Sequence, residues 1–252
     1  MKKTILHVPH ASTEVPFYEG YIVDKEVISA EILKITDWYT DDLFASEEDV
    51  IVKAPFSRVF CDVERFSEDS QEIMSKFGMG VLYEKNDAGD VIRNINDTLR
   101  QKILKNYYWI HHHSFTHEVN HQLSQFGSAL IVDCHSYPSI PIKRDLDQNL
   151  NRPDFNIGTD SFHTPSYLVD TSVDFFNKVG YSLGVDYPYK GAIVPLDHYQ
   201  KSQNVHSIML EINRKLYLNE PTNVKSEHYH ETKSIVFEFL QTVKKAHAKY
   251  SN

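Results

Sequence analysis

His135 and His10 share one setting in this chain: an apolar, β-prone run that ends in a polar cluster. His135 closes A-L-I-V-D-C-H-S-Y-P (129–138), where four apolar residues stop at Asp133 and Pro138 blocks any longer ladder. His10 follows K-T-I-L-H-V (3–8) and Pro9. In open α/β sheets ligands sit just beyond the carboxyl ends of the strands, so both imidazoles are placed for chemistry. Glu211 lies inside another apolar run, S-I-M-L-E-I (207–212). A carboxylate there either pairs with Arg214 at the sheet edge or serves as a general base with a shifted pKa. Arg58 and Arg65 flank Asp62 in F-S-R-V-F-C-D-V-E-R-F (56–66). Arginines among core residues either pair, here with Asp62, or fork onto a substrate carboxylate. Asp37 and Asp41, four apart, share a face of a helix expected over 24–44. Carboxylates near a helix C-terminus oppose its dipole, a hint that Asp37 is held there for another reason.

One further stretch invites a metal reading. A helix expected from Asn96 or Asp97 to about Gln125 contains H-E-V-N-H (117–121), a letter-for-letter match to the zinc-protease signature. At about 100° per residue, Leu104, Tyr108, Phe115, Val119, Leu123 and Phe126 gather on one side. His117 and His121 fall opposite, on the face expected to be solvated. No further zincin element follows, so a chance match in a His-rich helix is the better reading.

Positioning these groups requires strands over 3–8, 50–53, 129–132 and 207–212, with helices over 24–44, 97–125 and 171–183. Gly184 is the expected stop of the last of these helices. G-M-G-V-L-Y (78–83) reads as a strand that turns through N-D-A-G-D (86–90) into a second hairpin strand. N-L-N-R-P-D-F-N-I-G-T (149–159) reads as a polar, irregular loop of the kind that binds substrate. An amphipathic helix over 227–250 closes the chain, and His7, within the first strand, reads as a packed residue. The pattern is that of an α/β protein.

With 252 residues and no linker, repeat or low-complexity run, a single domain over 1–252 is expected. A net charge of −9 without a Lys/Arg cluster argues against nucleic acid and anionic membrane as partners. The two cysteines, each beside an aspartate, offer neither a disulfide framework nor a cysteine zinc site. No apolar run reaches transmembrane length and no signal-peptide core is present, so a soluble, cytoplasmic protein is expected.

In their order along the chain these stretches resemble the N-formylglutamate amidohydrolase family. The resemblance runs from V-P-H-A-S (8–12) through T-D-W (36–38), S-R-V-F-C-D-V-E-R (57–65), Y-W-x-x-x-H (108–113) and V-D-C-H-S (132–136). It continues through N-I-G-T (156–159) and K-G (190–191) to L-E-I (210–212). D-V-E-R-F and V-D-C-H also look like stretches of the aspartoacylase group, more distant relatives with a zinc-carboxypeptidase-like fold. The resemblance implies a three-layer α/β/α fold with a mixed, largely parallel sheet. It also implies one catalytic zinc that hydrolyses an N-acyl amide beside a carboxylate. His10 and His135 match the family's strand-end histidines and become the implied zinc ligands, with Asp37 as the third and Glu14 as its alternative. Arg58 would polarise the scissile carbonyl, Arg65 would hold a substrate carboxylate, and Glu211 would move the proton. Asp62, His113, Asn156, Thr159 and Lys190, in the matching stretches, are expected at the substrate, although the helix wheel turns His113 away from the apolar face. Where the family has N-G-R-F-K-G-G this chain has D-Y-P-Y-K-G-A (186–192), so its acyl group and amino acid need not be formyl and glutamate. The expected activity is zinc-dependent hydrolysis of a small, acidic N-acyl amino acid. A carboxypeptidase-like hydrolase of a peptide or peptidoglycan fragment, and a non-catalytic carboxylate-binding protein, are the alternatives.

Overall fold

The computed structural model describes residues 2–250. Six strands hydrogen-bond into one sheet: β1 (Ile5–Val8), β2 (Val50–Lys53), β3 (Ala129–Tyr137), β4 (Phe155–Gly158), β5 (Leu183–Val185) and β6 (Val205–Asn213). Their order is β2-β1-β3-β6-β4-β5. The first four in that order run parallel; β4 is antiparallel to β6 and parallel to β5. A two-stranded ribbon, β7 (Leu218–Asn219) and β8 (Val224–Lys225), follows. The helices are α1 (Lys25–Ile35), α2 (Thr40–Leu43), α3 (Asp97–Ile103), α4 (Trp109–Phe126), α5 (Ser166–Val179) and α6 (Tyr229–Tyr250).

Alternation along the central strands divides them between two helical layers. Leu130, Val132, Cys134, Ile208, Leu210 and Ile212 face α5 and α6, where Phe175, Phe176 and Phe239 complete the main core. Each of these buried aromatic and aliphatic side chains contributes about 1.5–3 kcal/mol. The opposite face, Ile5, Ala129, Ile131 and Val205, packs on Phe115 and Val119 of α4. The result is a three-layer α/β fold with a mixed, mostly parallel sheet.

Several elements depart from the sequence reading. β3 continues through His135 to Tyr137 because β6 offers it ladder partners as far as Asn213. The long helix expected over 24–44 breaks after Ile35. Thr36 turns extended with its hydroxyl on the Ile32 carbonyl at 2.6 Å, and Tyr39 takes a left-handed conformation, φ 61°. Asp37 and Asp41 therefore do not share a helix face. The 78–91 segment forms no hairpin, only isolated bridges Met79–Tyr83 and Lys85–Val91, with Met79, Val81, Leu82 and Tyr83 buried in local clusters. Part of the expected 149–159 loop is β4, whose residues Phe155 to Gly158 are wholly buried on the sheet. α5 ends at Gly180, φ 83°, rather than Gly184, which lies inside β5. α3 and α4 are joined by a π-helical segment, Leu104–Tyr108.

Candidate active site

The sheet register sets out the site in two rows. Residue 7 of β1 lies beside residue 133 of β3, and 133 beside 209 of β6. One step nearer the strand ends, 135 lies beside 211, and 211 beside Asn156 of β4. On this one face the lining changes from Ile131 to Asp133 to His135, apolar at the bottom and ionisable at the top. The other side chains arrive from loops. His10 follows Pro9 just past β1, and its carbonyl accepts the N–H of Asp37, which pins the break after α1 against the strand end. The 57–66 turn brings Arg58, Asp62, Glu64 and Arg65. Its Ser57 N–H donates to the Glu14 carbonyl and its Asp62 N–H to the Val81 carbonyl.

His10, Asp37 and His135 are all buried, and each offers a ligand atom within 4.8 Å of the others. His135 Nδ1 lies 3.0 Å and His10 Nδ1 3.7 Å from Asp37 Oδ2. His10 Nε2 donates to Asp62 Oδ1 at 2.9 Å, a carboxylate–imidazole contact of the sort that orients metal-binding histidines. Its Nδ1 is buried without a hydrogen-bond partner. An orphaned ring nitrogen facing a carboxylate and a second imidazole is a donor set suited to a tetrahedral cation with one open position. A second group that could hold a metal, His7, Glu64 and Asp133, has no such orphan among its atoms. His7 Nδ1 donates to Asp133 at 2.9 Å, and its Nε2 meets His111 Nε2 at 2.9 Å.

Charge at the centre is strongly biased. Burial works against ionisation of Glu64, Asp62 and Asp37, yet their cationic neighbours win and hold all three below the usual carboxylate range. For Glu64 the chief partner is His135, for Asp62 Arg58, and for Asp37 the neighbouring imidazoles of His10 and His135. Burial likewise opposes protonation of His135, but Glu64 and Asp133 raise its pKa well above the ordinary value. Several carboxylates thus converge on the His10 and His135 imidazoles, a concentration of negative charge that suits a cation. Glu211 behaves oppositely. Burial pushes its carboxyl up to about 8, and Oε2 has no hydrogen-bond partner. The Glu211–Arg214 pair considered from sequence does not form, since Arg214 Nη2 donates to Asp37 Oδ1 at 3.1 Å.

A cavity of about 200 Å³ joins His10, Asp37, His135 and Glu211 to Arg58, Arg65 and Lys190. Arg58 donates through Nε and Nη2 to Asp62 Oδ2 at 3.2 and 3.0 Å. Four sequence-stretch residues expected at the substrate do not line this cavity. Asp62 is fully buried beneath it, occupied by His10, Arg58 and the Tyr83 hydroxyl. Asn156 bridges the Tyr187 N–H and the Tyr189 carbonyl, bracing the loop before Lys190. Thr159 is tied to Asp186 through both its N–H and its hydroxyl. His113 stands exposed beside Trp109, while the same helix buries His111 and His112. Glu14 is exposed and away from the cluster, as are His117 and His121 of the H-E-V-N-H stretch.

Other site residues carried no assigned role in the sequence. Asp133 was detectable, because period 2 puts it on the face of His135. Glu64 stands next to an assigned arginine, but nothing in the spacing aims it at both histidines. Arg144 lines the cavity from the 139–148 loop. Its N–H and Nε donate to the side chain and carbonyl of Asp87, and no ion pair to it is found among the described residues. Gly89, φ +96°, leaves room for its guanidinium, which a Cβ there would strike.

The model of the N-formylglutamate amidohydrolase family matches residues 2–218. An N-formylglutamate deformylase of Pseudomonas aeruginosa is 24% identical over 257 residues, covering 95% of this chain and 91% of that protein. Another from Pseudomonas putida is 23% identical over 250 residues, with the same coverage. The crystal structure of an N-formylglutamate amidohydrolase from Ralstonia eutropha superimposes with a TM-score of 0.82 at 23% identity, over 97% of this chain and 93% of that one. A gene product of Agrobacterium tumefaciens gives 0.70 at 15% identity, over 100% and 92%. Among the described residues no helix is long and apolar enough to cross a membrane. With most of its length matched by the family model, and with the fold shared, the chain belongs to the N-formylglutamate amidohydrolase family.

Proposed function

We propose that this chain is a single-domain, zinc-dependent hydrolase that cleaves the amide bond of a small N-acyl amino acid, with N-formylglutamate as the reference substrate. One observation carries the reading: two orphaned, buried atoms line a single cavity, Nδ1 of His10 and Oε2 of Glu211. The first suits ligation and the second suits proton transfer. His10, Asp37 and His135 would hold the ion, which when bound supplies Lewis-acid chemistry. Glu211 takes a proton from the attacking water and delivers it to the amide nitrogen. The water oxygen bonds to the acyl carbon, the C–N bond breaks, and the amino acid leaves as a free amine. Arg58, fixed on Asp62 through two of its nitrogens, keeps Nη1 for the developing oxyanion. Arg65, Arg144 and Lys190 receive substrate carboxylates.

The test is release of formate and glutamate from N-formyl-L-glutamate, abolished by a chelator and restored by zinc. Metal content is measured beside it for the wild type, a His10→Ala/His135→Ala variant and a His117→Ala/His121→Ala variant. Loss of one zinc equivalent only in the first variant is expected, and loss only in the second refutes the site. Turnover of short peptides but not N-acyl amino acids would favour a carboxypeptidase-like enzyme. Binding without turnover of any substrate would favour a carboxylate-binding protein.

A further inference from the structure

A second cavity, of about 340 Å³, lies beside the first. Glu64, Arg65, Lys190 and Met209 line both, so the two cavities adjoin across these side chains. Their walls differ in charge. In addition to the shared Arg65 and Lys190, the first chamber has Lys34, Arg58, Arg144 and Arg214 against the unshared carboxylates Asp37, Asp145 and Glu211, so its cations outnumber its anions. The second has no further lysine or arginine, and its unshared carboxylates, Asp133 and Asp160, repel an anion. Much of its wall is apolar: Val63, Phe66, Ala192, Ile193, Val194 and Leu196. Substrate carboxylates therefore belong in the first chamber, and a neutral, apolar group belongs in the second. A formyl group has two heavy atoms, about the bulk of one or two waters, and would leave this space almost empty.

We propose that the second chamber is an acyl pocket, and that the enzyme accepts N-acyl amino acids whose acyl group is an aliphatic or aryl chain of several carbons. The inference rests on the amidohydrolase reading above and leaves its chemistry unchanged. Water oxygen bonds to the acyl carbon, the C–N bond breaks, and a carboxylic acid larger than formic acid leaves with the free amine.

Calorimetric titration of the zinc-loaded Glu211→Gln protein reads binding apart from turnover. The probes are N-acetyl-, N-butyryl- and N-hexanoyl-L-glutamate. Kd is expected to fall about fourfold per added methylene. Ala192→Phe and, independently, Leu196→Trp, each placed on the same background, should raise the hexanoyl Kd at least tenfold relative to the acetyl Kd. A Kd that does not fall with chain length overturns the acyl pocket, and so does a length dependence that survives both substitutions. Hydrolysis of N-formyl-L-glutamate by the wild type is assayed separately. Length-dependent binding without hydrolysis of any member supports the pocket while refuting the amidohydrolase reading. Hydrolysis with length-independent binding does the reverse.

Discussion

Replacing Glu211 with glutamine should stabilise the metal-free protein while nearly abolishing its activity. The substitution keeps the shape of the side chain and removes its ionisable proton. Burial raises the carboxyl to about 8, against 4.5 as its ordinary value. Between those values the folded protein holds a proton that the unfolded chain has released, so stability falls as pH climbs from 4.5 towards 8. Each pH unit in that window costs the fold about 1.4 kcal/mol, or on the order of 3 kcal/mol at pH 7. Glutamine does not titrate. The variant should match the wild type near pH 4.5 and exceed it by up to about 3 kcal/mol at pH 7, less the cost of burying its amide. Urea unfolding of chelator-treated protein at both pH values checks this. A nearby cation favours the carboxylate, so the zinc-loaded pair should differ less. A stability difference independent of pH, or a variant weaker than wild type at pH 7, refutes burial as the cause. In the zinc-loaded enzyme kcat should fall about 10²–10⁴-fold, as for loss of a general base. A loss below tenfold would remove Glu211 from proton transfer.

Asp62→Ala strands the Arg58 guanidinium and His10 Nε2, and should destabilise the protein by about 3–5 kcal/mol in urea unfolding. Zinc affinity, read by competition with a chromophoric chelator, should fall about 10–100-fold. Arg144→Leu should raise KM for N-acylglutamates about tenfold or more with little change in kcat, as expected for a lost charge-assisted contact worth about 1.5–3 kcal/mol. An equal loss with N-acyl alanine would place Arg144 away from the second carboxylate. His247 on α6 lies with His206 and the Tyr167 hydroxyl, and burial pushes its pKa down to about 3. The unfolded chain takes up this proton near 6.5, so the wild type should lose stability below that pH by up to about 1.4 kcal/mol per unit. His247→Gln should remove that part of the acid sensitivity, and identical pH profiles for the two proteins would refute it.

Local chemistry in the chain was enough to specify much of this protein. Apolar runs at 5–8, 129–132 and 207–212 read as buried strands, which they are, and parallel strands with intervening helices make a layered α/β sheet. Pro9 and Pro138 mark where two of those strands must end, which brings His10 and His135 to one edge of the sheet. Helical periodicity turned His117 and His121 to solvent, where they lie.

Tertiary structure decided what each ionisable group does. Asp37 reaches the histidines only because α1 breaks at Thr36 and its backbone bonds to His10, a long-range contact that helix propensity does not encode. Whether Arg214 would pair with Glu211 or Asp37 was open in the sequence. The fold gives it to Asp37 and leaves Glu211 Oε2 without a partner, and burial raises the carboxyl's pKa. Asp62 and Asn156 sit in the right stretches, yet packing commits their polar atoms to His10, Arg58 and the 187–189 backbone. Arg144 comes to the cavity from a loop with no periodicity at all, held by Asp87 from a distant turn. Side-chain type and spacing thus set which chemistry was possible. Burial and partner choice, which depend on contacts between residues far apart in the chain, set which groups were left free to perform it.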